Sequence, residues 1–194
     1  MSNEDLDATG RRAGPPQARP DPLGGSIDVL GDRGAVNFPE GFRRVSEVLA
    51  TLGHPHAPVF LDVTARTAQE AADALGVQLG QIAKSVVFKR KHDHAAVLVV
   101  TSGDLRVDVD KVAGLTGPVG RADADFVKLS TGFTIGGVSP VGHVTPPVML
   151  IDRELLRFEE IWAAAGHPNG VFKLSPAQLQ TLTGAPLADV TPAP

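Results

Sequence analysis

Two apolar runs rich in β-branched residues, Ser85–Phe88 and Ala95–Thr101, lie close together in the middle of the chain, joined by a polar turn around His92-Asp93-His94. Runs of this length and composition read as strands, and so short a polar connection makes them sheet neighbours without a crossover helix. Strict βαβ alternation is therefore excluded at the centre of the fold. The flanking segments alternate in kind. Phe42, Val45, Leu49 and Leu52 recur at helical spacing after Pro39 and stop at Gly53. Thr67 and Glu70 form a capping-box pattern ahead of Ala68, Ala71, Ala72 and Leu75, with Gly76 as the C-terminal cap. Short helices are expected after Asp108, ending by Gly117, and from Asp123 to Ser130, ahead of Gly132. Ser175-Pro176-Ala177-Gln178 is a helix start, with a serine N-cap, proline at the first helical position and glutamine at N3. Further strands are expected at Ala57–Val63, Val148–Ile151, Phe158–Trp162 and Val171–Leu174, with a short helix around Glu154–Leu156. This mixture predicts an α+β domain with a mixed sheet flanked by helices.

Residues 1–36 have a different composition. Gly10, Gly14, Pro15, Pro16, Pro20, Pro22, Gly24, Gly25, Gly31 and Gly34 stand among scattered charges with few large apolar groups. Such a segment buries too little surface to offset its ordering entropy, so a flexible tail is expected before a domain spanning 37–194. The whole chain is 42% hydrophobic and 21% charged, an ordinary globular balance. It contains no apolar run approaching the ~20 residues of a membrane span, and its N-terminus lacks a basic-then-apolar secretory pattern, so a cytoplasmic protein without a membrane partner is expected. With no cysteine there is no thiolate nucleophile, disulfide or zinc-thiolate site. The net charge of −4 argues against gripping duplex DNA, because phosphate contacts dominate that affinity. The Lys89-Arg90-Lys91 run is the one basic cluster, read as a solvated face or as a contact for nucleic-acid phosphates.

Two features carry potential chemistry. Lys84 sits within Gln81-Ile82-Ala83-Lys84-Ser85-Val86-Val87-Phe88, a single cation among apolar residues just before a strand. Its ammonium either reaches water at a strand edge or stands desolvated at a pocket wall, where it would hold a phosphate or polarise a carbonyl. Further along, Gly136-Gly137-Val138-Ser139-Pro140-Val141-Gly142-His143 is too rich in glycine and proline for a helix or central strand. It is either a wide structural turn or a loop whose amides approach a ligand and meet a developing oxyanion. It is neither a Walker A loop nor a dinucleotide fingerprint. His143 closes the loop and would either orient a water or cap the turn. His54-Pro55-His56 and His92-Asp93-His94 have metal-like proximity but fall at turns without a further ligand cluster, so they read as solvated turn residues and no metal or other cofactor is expected. Phe60, Phe88, Phe126, Phe133, Phe158 and Trp162 are assigned to the core.

The pairing of Ile82-Ala83-Lys84-Ser85-Val86-Val87-Phe88 with the glycine loop resembles the YbaK/ProX/EbsC family, which includes the editing domain inserted in bacterial prolyl-tRNA synthetases. The resemblance runs from about Asn37 to the C-terminus and takes in Ala164-Ala165-Gly166-His167-Pro168 and the closing Ser175–Gly184 helix. It implies a mixed, partly barrel-like sheet flanked by helices, and a free-standing hydrolase that cleaves the ester of a small wrong amino acid on tRNA-Pro or a related tRNA.

By position, Lys84 matches the family's essential lysine, and Gly136 with Pro140 matches its Gly-x-x-x-Pro loop. The catalytic set implied is Lys84, Gly136 and Gly137, with Ser85, Val138, Ser139, Pro140, His143 and His167 as substrate-binding residues. Ser85 would shape the pocket and His167 would gate its size. An aminoacyl ester is already activated and has a neighbouring ribose hydroxyl, so the site needs positioning and charge stabilisation and no serine or cysteine nucleophile. The implied partner is the tRNA acceptor end, with a synthetase as a second candidate. Two other readings stay open: a non-catalytic module binding a tRNA end or a synthetase, and a hydrolase for another small ester or amide. The lack of a Ser-His-Asp or Cys-His set weighs against a general esterase.

Overall fold

The computed structural model describes residues 37–63 and 65–192; the expected tail, 1–36, lies outside them. Sequence punctuation and structure agree closely in the helices. Helix α1 spans Glu40–Thr51, α2 Ala68–Leu75, α3 Val109–Thr116, α4 Ala124–Thr131 and α5 Pro176–Thr183. In α2 the Thr67 hydroxyl accepts the Glu70 N–H and the Glu70 carboxylate reaches back to the Thr67 N–H, so both halves of the capping box form. Ser175 and Gln178 do the same for α5. Asp108 and Asp123 cap α3 and α4 with their carboxylates. Among the described residues no helix is long and apolar enough to cross a membrane.

One mixed sheet holds β1 (Val59–Phe60), β2 (Ile82–Arg90), β3 (Ala96–Ser102), β4 (Val119–Arg121), β5 (Val148–Asp152), β6 (Ile161–Ala164), β7 (Gly170–Leu174) and β8 (Leu187–Ala188). The order is β1-β7-β6-β2-β3-β5-β8, with β4 also on β2. Antiparallel pairs join β2 to β3 and to β4, β6 to β7 and β1 to β7; parallel pairs join β2 to β6, β3 to β5 and β5 to β8. The expected mixed sheet flanked by helices is the observed architecture. Its boundaries differ in places. The strand expected at Ala57–Val63 contracts to Val59–Phe60, because Pro58 offers no ladder donor. The strand expected at Phe158–Trp162 begins at Ile161, because a 3₁₀ turn over Arg153–Arg157 holds the Phe158 N–H on Leu155 O (3.2 Å). Strand β2 starts at Ile82, which places Lys84 inside the strand where the sequence put it just ahead.

The seven residues of β3 are all buried. A strand covered on both faces reads as a continuous apolar run, which is what Ala96–Val100 shows, and the hydroxyls of Thr101 and Ser102 that follow are bonded to Asp152 and to Gly80 O. On one face Leu98 and Val100 pack with Phe42, Val45 and Leu49 of α1 and with Phe133, Val138 and Val141 of the glycine loop. On the other, Val97 and Val99 meet Val112 of α3. A smaller cluster joins Ala65, Ala71 and Ala72 to Ile82, Trp162 and Val171. Each fully buried Val, Leu or Phe contributes about 1.5–3 kcal/mol. The glycine loop is therefore part of the core on its inner side, and this holds it against the sheet.

Candidate active site

A cavity of about 540 Å³ opens beside the middle of β2. Its wall includes Lys84 and Ser85 from β2, Ile135, Gly136 and Val138 from the glycine loop, Arg66 and Thr67 ahead of α2, Ala163 and Ala164 from β6, and Pro168. The two sequence features separated along the chain thus face one space. Gly137, Ser139, Pro140, His143 and His167 are not part of this wall.

Lys84 is half-buried, and its Nζ donates to Leu105 O at 2.7 Å and more weakly to Gly103 O at 3.5 Å. Burial lowers its pKa from the ordinary lysine value; the charges of Asp104 and Asp152 act in the opposite direction, and Arg106 adds to the lowering. The carbonyls fix the ammonium at the end of β3. A third N–H remains for a ligand.

In the glycine loop the amides divide into used and free. Gly137 N–H donates to Thr134 O (3.0 Å) inside a turn, which removes it from the set of donors a substrate could meet. Among the described residues, the N–H groups of Gly136 and Val138 have no acceptor, and both residues line the cavity. Gly136 has φ +90°, a conformation that a side-chain-bearing residue rarely adopts. Gly137 is required for a different reason: a Cβ there would stand 2.7 Å from His167 Cα, so the loop rests directly on the backbone of the 166–168 turn. His167 itself stacks on Phe60, ring centroids 5.1 Å apart, and its Nδ1 accepts the Asn169 N–H at 3.1 Å. It supports the loop and the turn from behind.

Arg44 went unnoticed in the sequence because its spacing from the loop is long and it lies on a helix. Its Nε donates to Gly142 O (2.9 Å) and its Nη2 to Gly132 O (3.0 Å), tying both ends of the loop to α1, with the guanidinium 4.6 Å from the Phe133 ring centroid. Lysine would keep the charge but reach one carbonyl. Arg44→Lys is expected to cost about 1 kcal/mol and Arg44→Ala about 2 kcal/mol in urea unfolding. Unchanged midpoints would show that the loop is held by its own turns.

The residues that line the cavity, from Ala65 to Val171, all lie within a segment that matches a known family. Residues 62–182 match the model of the aminoacyl-tRNA editing domain. The chain belongs to that family. It is 34% identical over 119 residues to "Uncharacterized protein YwhH" of Bacillus subtilis, covering 61% of this chain and 75% of that protein. It is 26% identical over 127 residues to the Enterococcus faecalis "Putative Cys-tRNA(Pro)/Cys-tRNA(Cys) deacylase EbsC", covering 64% and 77%. Among solved structures it is similar to "a putative trans-editing enzyme for prolyl tRNA synthetase", with 42% identity, a TM-score of 0.75 and coverage of 80% of this chain and 99% of the other. "Hypothetical protein APE2540" gives 32% identity, a TM-score of 0.71 and coverage of 77% and 99%.

Other residues singled out in the sequence fall outside the cavity. His143 is partly buried and its Nε2 lies 2.8 Å from Ser139 O, so the neutral ring donates there and caps the loop. Burial lowers its pKa, the Ser139 carbonyl opposes this, and Arg44 adds to the lowering. A histidine with a folded pKa below its unfolded value stabilises the fold above about pH 6.5, and the contribution is lost as pH falls from there through the folded pKa. His143→Gln keeps a donor without a titration. Its urea midpoint is expected to fall less than the wild type's between pH 7.5 and pH 5.5; equal falls would remove His143 from the acid response. His54, expected to be solvated, instead bonds Lys173 O through Nε2 (2.8 Å) and packs edge-on against Phe172. Of the basic run, Arg90 is engaged by Asp93 in a two-pronged pair (2.6 and 2.9 Å), whereas Lys89 and Lys91 line a small groove with Arg121.

Proposed function

We propose that this editing domain is a trans-editing deacylase that hydrolyses the ester between a small, wrongly attached amino acid and the terminal ribose of a tRNA. The observation that carries this reading is that Lys84, Gly136 and Val138 share the wall of one cavity, while among the described residues the Gly136 and Val138 N–H groups have no acceptor. Such donors suit a reaction whose difficulty is charge developing on a carbonyl oxygen. The cavity volume falls within the usual range for a small-molecule site, enough for an aminoacyl ribose.

In this mechanism Lys84 anchors the terminal nucleotide or the ester carbonyl. The vicinal ribose hydroxyl orients the attacking water and relays its proton, accepting it while passing its own proton to the leaving ribose oxygen. The Gly136 and Val138 amides receive the oxyanion, and collapse releases the amino acid carboxylate and the ribose hydroxyl. Gly137, first assigned to the oxyanion site, acts through packing, because its N–H is already committed. Ser85 is no nucleophile in this reading: its Oγ is buried and has no hydrogen-bond partner among the described residues, so no base is placed to activate it. The names of EbsC and of the trans-editing structure support tRNA-Pro as the carrier and a small amino acid as the cargo. At a net charge of −4, grip on the tRNA body is weak, so a synthetase that presents the acceptor end is a fitting partner.

The test is release of amino acid from tRNAs charged with alanine, serine, threonine, cysteine or 2-aminobutyrate. Turnover of one or a few establishes the deacylase. Release from none, by folded protein, favours the non-catalytic tRNA-end or synthetase-binding module.

A further inference from the structure

Strand β2 is paired along its length on one side only. Ala83 to Lys89 lie opposite β3. On the other side Ile82 and Ala83 meet β6, Phe88 to Arg90 meet β4, and Lys84 to Val87 have no strand partner among the described residues. The cavity lies at this interruption of the sheet, since Ser85, Val86 and Val87 line it together with Ala164 at the end of β6 and Ala122 just past β4.

Alternation along the strand decides which main-chain groups face the gap. Arg90 N–H donates to Ala95 O (2.9 Å), which extends the β3 ladder by one pair. Counting back in twos, Phe88, Val86 and Lys84 also turn their N–H and C=O toward β3. Lys89, Val87 and Ser85 turn theirs the opposite way, and in the same phase Lys91 N–H donates to Pro118 O (2.8 Å) on the β4 side. Ser85 therefore offers one N–H and one C=O to the gap. Its hydroxyl is buried although the residue as a whole is partly exposed, so what it shows the cavity is Cβ and main chain.

The charge of the wall narrows what can bind there. Lys84 and Arg66 are its charged side chains, and among the described residues it contains no aspartate or glutamate. An amino group entering this space finds no carboxylate and must give its hydrogens to carbonyl oxygens. An aminoacyl ester in extended form carries its α-amino group and its carbonyl oxygen in the relation that N–H and C=O have within one strand residue.

We propose that the aminoacyl group docks in the gap as a one-residue strand on β2, its α-amino group donating to the Ser85 carbonyl and its ester carbonyl facing the Ser85 N–H. The second lone pair of that carbonyl remains for the Gly136 and Val138 amides. The substrate class becomes esters that bear a hydrogen-bond donor on the α-carbon. This inference rests on the deacylase reading and adds the element that recognises the amino acid as an amino acid.

The experiment uses the full chain and one tRNA acylated with alanine, lactate or propionate, esters that differ only in the α-substituent: amino, hydroxyl or hydrogen. For another preferred amino acid the matching series replaces them. Each enzymatic kcat/KM is divided by the uncatalysed hydrolysis rate of the same ester, which removes intrinsic reactivity. Propionyl-tRNA is expected to lose about 10–100-fold relative to alanyl-tRNA, because the Ser85 carbonyl is left buried without a donor, and lactyl-tRNA to fall between. Equal enhancement on all three esters overturns the docking inference and leaves the deacylase standing. Release from no aminoacyl ester overturns both.

Discussion

Replacing Lys84 with alanine is expected to lower deacylation by about 10²–10³-fold while leaving the fold intact, the loss typical of removing one preorganised electrostatic group. The two effects separate for a physical reason. The ammonium is half-buried and its pKa is lowered by that burial, so the folded chain gains little from holding the charge. What it forfeits on truncation is a pair of bonds to carbonyls at the end of β3. A melting temperature within a few degrees of wild type, together with the loss of release, assigns Lys84 to the chemistry. A variant that unfolds would assign it to the fold, and one that keeps full activity would remove the mechanism. The rate should also decline on the alkaline side at a lower pH than an ordinary lysine would give, since the Lys84 ammonium is lost earlier.

Gly137→Ala is the second large effect expected, and it works through backbone. The new methyl would stand 2.7–2.9 Å from the N, Cα and C atoms of His167, none of which can rotate aside. Either the loop or the 166–168 turn must shift. Overpacking of this kind costs about 1–3 kcal/mol, seen as a fall of several degrees in melting temperature. Activity should suffer more than stability, because a displacement of ~1 Å in the neighbouring Gly136 and Val138 amides can cost about 10²-fold in rate. An alanine variant with wild-type release would show that the loop does not hold the reacting carbonyl. The corresponding change at Gly114, inside α3, is the control for glycine removal, since nothing lies within 4 Å of a Cβ there and its backbone is helical.

The sequence by itself determined the local elements. Capping boxes at Thr67–Glu70 and Ser175–Gln178 place α2 and α5 because the caps satisfy orphan amides within the same few residues. The apolar, β-branched run at Ala95–Thr101 marked a strand, and the structure added that both its faces are covered. Short edges were harder: Val119–Arg121 and Leu187–Ala188 become strands only because β2 and β5 offer them unpaired main-chain groups, and nothing in their own composition says so. The candidate site divides along the same line. Lys84 and the glycine loop were legible as residues of unusual type in unusual surroundings. Tertiary structure alone decided that both face one cavity, that the Gly137 amide is spent on Thr134, that His143 caps its own loop, and that Arg44 ties the loop ends to α1. Each of these depends on which groups meet across long separations in the chain, and hydrogen-bond partners of that kind leave no period or motif in the sequence. The gap in β2 is the clearest case: Lys84 to Val87 look like any strand, and only the ends of β6 and β4 on either side leave their edge open.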